Sequence, residues 1–290
     1  MGDLMERTIY NALFASQSPD GRRLRYFAPL EGARAYWNTD TYCCPCNYRR
    51  IIAELPTMVY YQTQDGLAVN LYASSRATLK VGKDIPLAVV QETGYPNDGA
   101  VRLTLGPATP ATFPLLLRIP AWAAGATVTV NGEAAGEAPV PGTFFEIRRE
   151  WKAGDQVALE LPMRWRLVKG RQRQAGRVAV MRGPLVFCLN PAQNQDLAKL
   201  DGVELGYLAL SPASLAEPVA SSAVRPGGIG CRVQAWKPGF GLSEKADYEL
   251  TLTEFPDPGG KATYFRVRDF GGAIDDERLN PSQPPLISHE

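Results

Sequence analysis

The sequence predicts a mainly β protein, with two antiparallel β-sandwich-like units preceded by two helices. After Asp65-Gly66, short apolar or alternating runs recur at the roughly 8–15-residue spacing of β-sandwiches, each bounded by Gly, Pro or Asn. Within that stretch Asn131-Gly132 follows Thr127-Val128-Thr129-Val130 and is the strongest short-range hairpin signal in the chain. Ahead of it the apolar residues fall instead at helical spacing, first Met5, Ile9 and Leu13, then Ile51, Ile52 and Leu55.

The first helix is expected over residues 3–16, with Glu6 and Arg7 off its apolar stripe. Gln17-Ser18-Pro19-Asp20-Gly21 is a turn, Leu24 to Leu30 is extended, and a loop runs to Asp40. The second helix is expected to begin near Cys46 and to end about Leu55, where Pro56 limits it. Strands are expected at Leu67 to Tyr72, Val101 to Leu105, Phe113 to Ile119, Thr127 to Val130, Phe144 to Ile147 and Val157 to Leu161. A further set covers Arg177 to Met181, Leu185 to Leu189, Cys231 to Trp236, Tyr248 to Leu252 and Tyr264 to Val267. The domain boundaries that follow are a helical segment 1–62, a β-sandwich 63–162, a second β-rich domain 163–270, and a flexible tail 271–290 carrying Pro281, Pro284 and Pro285. Both helices carry apolar stripes that call for helical partners the chain does not supply, so the chain is expected to begin inside a larger helical domain.

Composition excludes several function classes. With 290 residues, 45% of them apolar and 21% charged, the chain has the makeup of a globular protein. A formal net charge of +1 gives no global field to draw nucleic acid or an anionic surface. No apolar run approaches the ~20 residues that span a bilayer, so no membrane partner is expected. The single histidine, His289, is penultimate, which rules out a dependable Ser-His-Asp or Cys-His arrangement and any histidine-rich metal site. Phosphate-binding loops and dinucleotide fingerprints are absent.

Five cysteines occur, and Cys43, Cys44 and Cys46 fall within four residues. An odd total with one tight cluster is unlike a disulfide framework. Two readings of Thr41-Tyr42-Cys43-Cys44-Pro45-Cys46-Asn47 are open. In one, Cys43 and Cys44 reach a single zinc ion from an extended or kinked backbone, with the following helix start favouring the thiolates. In the other, they are buried thiols at a loop–helix junction. Cys188 and Cys231 sit in apolar strands and are expected to be inert.

The runs Glu6-Arg7-Thr8-Ile9-Tyr10-Asn11-Ala12-Leu13, Ser18-Pro19-Asp20-Gly21, Tyr26-Phe27-Ala28-Pro29-Leu30-Glu31 and Cys43-Cys44-Pro45-Cys46-Asn47 occur in an order and spacing similar to glycoside hydrolase family 127. Gln91-Glu92-Thr93-Gly94-Tyr95-Pro96, Leu117-Arg118-Ile119-Pro120-Ala121-Trp122 and Arg182-Gly183-Pro184-Leu185-Val186 extend the resemblance, which is good to about residue 190 and weaker beyond. It implies an (α/α)6 barrel followed by β-sandwich domains, with residues 1–62 as the C-terminal remnant of that barrel. It also implies retaining removal of non-reducing-end β-L-arabinofuranose from arabinose-containing glycans. Cys43 becomes nucleophile and zinc ligand, Cys44 a zinc ligand, and Tyr10 a residue lining the sugar pocket. The thiolate would attack the anomeric carbon to give a thioglycosyl intermediate, with a carboxylic acid protonating the leaving oxygen.

In this family the acid/base glutamate and two further zinc ligands precede the cysteine pair, and only 42 residues stand before Cys43. The chain alone is therefore expected to be inactive and to rely on an upstream helical barrel domain of the same protein. Cys46 stands where the family carries proline and is read as a neutral replacement. Glu31 and Glu54 are read as a turn residue and a solvated helix residue. The alternative from another class is a non-catalytic carbohydrate-binding or structural β-sandwich module, resting on Trp122, Trp151, Trp165 and Trp236. Arg164, Arg166, Lys169, Arg171, Arg173 and Arg177 surround Trp165 and are read as strand-edge charges rather than a nucleic-acid surface.

Overall fold

The computed structural model describes residues 1–37, 43–197, 202–239, 244–268 and 274–277. The chain is mainly β and divides into two compact units. One comprises Met1–Glu6 with Cys46–Arg164, and the other Arg7–Pro45 with the chain from Trp165 onward. The expected helical segment 1–62 is thus shared between the two units.

The first helix opens as α1 (Gly2–Arg7) and continues as a wider π turn over Thr8–Leu13. Asn11 explains part of that widening. Its amide donates to the Arg7 carbonyl at 2.7 Å and to the Pro184 carbonyl at 2.9 Å, while its oxygen accepts from the Val186 N–H at 2.8 Å. One buried side chain thereby ties the helix to the strand start at Leu185. The second helix, α2 (Cys43–Glu54), begins three residues earlier than expected. Pro45 does not delay it, because the first four N–H groups of a helix have no partner inside it and a proline there forfeits none. A 3-10 turn over Leu55–Met58 follows.

The first unit carries β1 (Tyr60–Gln62), β2 (Leu67–Val69), β3 (Ser75–Val81), β4 (Ile85–Thr93), β5 (Ala100–Pro107), β6 (Ala111–Arg118), β7 (Thr127–Val130), β8 (Glu133–Ala134), β9 (Phe144–Trp151) and β10 (Asp155–Glu160). They form a four-stranded sheet, β1-β2-β6-β9, and a six-stranded sheet, β3-β4-β5-β10-β7-β8. Pairing is antiparallel except between β2 and β6, which run parallel with Leu67 opposite Leu115. The inward residues of β5, Val101, Leu103 and Leu105, alternate with wetter neighbours, as a sheet with one buried face requires. Asn131 and Gly132, both at positive φ (52° and 88°), make the two-residue turn between β7 and β8. Gly99 is obligatory for a different reason: a Cβ there would lie 1.8 Å from the Leu161 carbonyl oxygen.

The same unit buries an ion pair. Arg118, 4% exposed at the end of β6, donates to the Asn70 carbonyl (2.6 Å), to Asp3 (2.5 Å) and to Glu6 (2.6 Å). The Tyr95 hydroxyl donates to the same Glu6 oxygen at 2.8 Å, and Asp3 accepts from the Ala121 N–H. Burial pushes the Glu6 carboxyl above the ordinary carboxylate range, against the pull of Arg118 and the Tyr95 hydrogen bond. Burial is the largest single effect on the Arg118 guanidinium and would lower it, but Glu6, Tyr95, Tyr72 and Asp3 together outweigh it and the net shift is upward.

The second unit carries β11 (Trp165–Lys169), β12 (Val178–Arg182), β13 (Leu185–Leu189), β14 (Ala209–Leu210), β15 (Val219–Ser221), β16 (Gly228–Trp236), β17 (Tyr248–Glu254), β18 (Tyr264–Val267) and β19 (Ile274–Asp275). The pairing path β13-β17-β16-β14-β18-β12 closes on itself because β12 also pairs with β13, so this unit is a barrel. Val180, Phe187, Leu189, Leu205, Leu252 and Phe265 belong to its core. β11 extends the path, and β19 pairs with it in parallel. Within the tail expected from 271, Ile274–Asp275 is strand and Asp276 and Glu277 follow it; residues 271–273 and 278–290, with His289, lie outside the described residues.

Candidate active site

Cys43 and Cys44 are the first two residues of α2, not an extended link leading into it. Cys43 is exposed and Cys44 partly buried, so the reading as two buried thiols does not hold. Their sulfurs lie 3.6 Å apart. Zinc–sulfur bonds of about 2.3 Å at tetrahedral angles set two sulfurs about 3.8 Å apart, so the pair fits two corners of a zinc site. Among the described residues no group of three or more His, Cys, Asp and Glu side chains is disposed to hold a metal, which leaves Cys46 outside the set. The first turn of α2 carries no acidic side chain, and a helix N-terminus favours negative charge such as a thiolate. No residue of α2 is fully buried, although Ile51 and Ile52 form an apolar stripe along it.

Tyr10 lies on the π turn. It is partly buried, packs against the barrel core and meets the Phe14 ring edge-on at 5.9 Å, an arrangement that packing alone accounts for. Glu31 pairs with Arg177 and is occupied structurally. Glu54 ends α2, opposite the cysteines. Cys188 and Cys231 are buried thiols as expected, pushed by desolvation up to about 11 and about 12.

Of the four tryptophans behind the alternative reading, Trp151 and Trp236 are buried, while Trp122 and Trp165 are partly buried. Trp151 is fully buried and donates to the Phe113 carbonyl at 3.0 Å; Trp236 is 4% exposed. Trp165 donates to the Ala216 carbonyl and packs edge-on against Phe187. Neither Trp151 nor Trp236 offers a face to a sugar. In the basic cluster, Arg166 pairs with Asp275 and Glu277, Arg171 with Asp276, and Arg177 with Glu31. Carboxylates from β19 and the residues after it thus pair with two members of the positive run, Arg166 and Arg171. Sequence reading passed over an exposed aromatic pair, Tyr26 and Trp37, whose rings meet edge-to-face at 4.9 Å beside the 73% exposed Phe27. No helix among the described residues is long and apolar enough to cross a membrane.

Two family models match the chain. Residues 1–57 match the β-L-arabinofuranosidase GH127 catalytic domain and residues 66–163 the GH127 middle domain, together more than half of the sequence. The chain belongs to glycoside hydrolase family 127. A non-reducing end β-L-arabinofuranosidase from Bifidobacterium longum subsp. longum is 32% identical over 217 residues, covering 66% of this chain and 32% of that protein. The crystal structure of a GH127 β-L-arabinofuranosidase from Geobacillus stearothermophilus T6 superposes over 92% of this chain and 46% of its own, with TM-score 0.78 and 29% identity. A second solved GH127 β-arabinofuranosidase gives 0.77 at 29% identity, over 92% of this chain and 45% of its own. The chain spans about a third of the length of its curated relative and just under half of these solved ones. Within this GH127 member the cysteine pair lies in the part matched to the catalytic domain, and the ten-stranded unit corresponds to the middle domain.

Proposed function

We propose that this chain is a portion of a retaining, β-L-arabinofuranosidase-like glycoside hydrolase and supplies its cysteine nucleophile. The observation that carries the reading is the Cys43–Cys44 pair, accessible at a helix start with its sulfurs 3.6 Å apart, in the segment matched to a GH127 catalytic domain. Cys43 and Cys44 would hold zinc, which supplies a positive charge that keeps the sulfurs ionised at neutral pH.

The Cys43 sulfur donates its electron pair to the anomeric carbon of a β-L-arabinofuranoside as the bond to the leaving oxygen breaks. A carboxylic acid gives that oxygen its proton. The glycosyl group then rests on sulfur, and water, deprotonated by the same carboxylate, displaces it with overall retention. We place that acid in an upstream helical body, since Glu31 is engaged by Arg177 and Glu54 lies at the far end of α2. The incompletely buried α2 supports the same partner. Tyr10 is proposed to line the sugar pocket through the part of its ring the core leaves uncovered.

Zinc titration of the chain tests the reading. Zinc is expected to bind, to lose at least about tenfold in affinity in Cys44→Ser, and to support no hydrolysis of an aryl β-L-arabinofuranoside by the chain alone. Zinc binding that survives both Cys43→Ser and Cys44→Ser, or none at all, removes the metal assignment. Hydrolysis abolished by Cys43→Ala would show that this chain needs no further domain.

A further inference from the structure

A pair of arginines in the barrel-bearing unit has no role in the proposed chemistry. Arg25 is 3% exposed, and Arg34 is partly buried. Both approach one small apolar cluster, made by Ala15, Cys188 and Phe255. Arg25 donates through Nε to the Ala15 carbonyl. Arg34 donates through Nη1 to the carbonyls of Phe255 and, at 2.8 Å, Asp257, with the Cys188 sulfur 3.8 Å away. Each guanidinium also has a face against an aromatic ring: Arg25 lies 4.7 Å from the centroid of Tyr36, and Arg34 4.2 Å from that of Phe255. Gly260 is required for this approach, since a Cβ there would meet Arg34 Nη1 at 2.7 Å and the Cys188 sulfur at 2.5 Å.

What remains of each guanidinium is one edge. On Arg25 it is Nη1 and Nη2, and on Arg34 it is Nε and Nη2; all four nitrogens are buried and make no hydrogen bond among the described residues. These are the two edges of a guanidinium that grip two oxygens at once, end-on and side-on. The nearby carboxylate does not serve them. Asp257 is committed to Asn190 (2.9 and 3.0 Å), to the Thr253 hydroxyl (2.7 Å) and to the Gly259 N–H (2.8 Å). Two cations held by neutral carbonyls, with two free forks, are costly to keep out of water unless an anion neutralises them.

We propose that Arg25 and Arg34 form a binding site for a small oxyanion, a phosphate or a carboxylate, separate from the cysteine chemistry. The two guanidinium edges clasp its oxygens, while Tyr36 and Phe255 cover the faces. Tyr36 is the entry side chain: it is partly exposed and is held by a 3.3 Å hydrogen bond to the Gln17 carbonyl.

Calorimetric titration of the whole chain with inorganic phosphate, and separately with acetate, at fixed ionic strength tests the site. Saturable binding of at least one is expected, weakened roughly ten- to a hundredfold in Arg25→Gln, the loss of one charge-assisted pair. Arg25→Lys, which keeps the charge but removes the fork, is expected to weaken it as well, with circular dichroism unchanged. Binding of phosphate alone identifies a tetrahedral anion, and of acetate alone a carboxylate. Absence of saturable binding for both anions, or binding unchanged in folded Arg25→Gln and Arg34→Gln, overturns the proposal.

Discussion

Removing the Arg118 side chain tests whether the helix start is locked to the sandwich by charge. Arg118→Ala deletes three charge-assisted hydrogen bonds and leaves Glu6, 1% exposed, with the Tyr95 hydroxyl as its hydrogen-bond donor among those described. The other Glu6 oxygen, Oε2, is buried without any partner already. Breaking one side of a buried pair costs about 3–5 kcal/mol. At about 4 °C per kcal/mol, where the ranges for smaller and larger domains meet, the melting transition of the ten-stranded unit should fall by roughly 12–20 °C. Thermal melts followed by circular dichroism and by the fluorescence of Trp151 would resolve it. The double variant Glu6→Gln/Arg118→Met removes both charges and should regain at least half of the loss, because desolvated charge rather than lost packing dominates the single variant. A fall of less than about 2 °C for Arg118→Ala, or a double variant no better than the single one, refutes the reasoning.

Glu6 also predicts a pH dependence. Its folded-state pKa is raised above the ordinary 4.5 by burial, so its contribution is fully present below pH 4.5 and is lost as pH rises through the folded value; urea titrations of Glu6→Gln across that window should show a flatter profile than wild type. In the native chain Cys43, Cys44 and Cys46 should react with a thiol reagent, whereas Cys188 and Cys231, buried and raised, should react only after denaturation; zinc should protect Cys43 and Cys44 but not Cys46. Gly99→Ala, whose Cβ would sit 1.8 Å from a backbone oxygen, should destabilise by more than about 2 kcal/mol, read as a lower denaturation midpoint at unchanged slope. Asn11→Ala, losing bonds to the Pro184 carbonyl and the Val186 N–H, should cost about 2–3 kcal/mol in the same assay, while an exposed control such as Glu133→Ala stays within about 0.5 kcal/mol.

Much of the strand layout was legible because local pattern and tertiary environment agree. Alternation at Val101, Leu103 and Leu105 reports a sheet with one wet face, and Asn131-Gly132 supplies the positive φ angles its turn demands. The cysteine pair stands out in the sequence too, where both a metal-binding and a buried-thiol reading stay open. Its setting does not: the helix begins at Cys43 because a proline in the first turn forfeits no hydrogen bond, a point that residue-by-residue propensity misses.

Motif order placed the chain in its family, yet it did not say why those motifs matter together. Glu6, Tyr95 and Arg118 come from three separate runs and meet in one buried ion pair, while Asn11 meets Pro184 and Val186 in the other unit. The β-rich character and the family are readable from the amino-acid order alone. Long-range packing alone closes the second unit into a barrel, makes Trp151 and Trp236 core rather than sugar platforms, pairs Arg166 and Arg171 with Asp275, Asp276 and Glu277, and leaves buried guanidinium nitrogens of Arg25 and Arg34 without a hydrogen bond among the described residues. The physical reason is range: propensity and periodicity act over a few residues, whereas strand closure, burial and charge pairing join groups up to hundreds of residues apart in sequence, whose meeting no local pattern encodes.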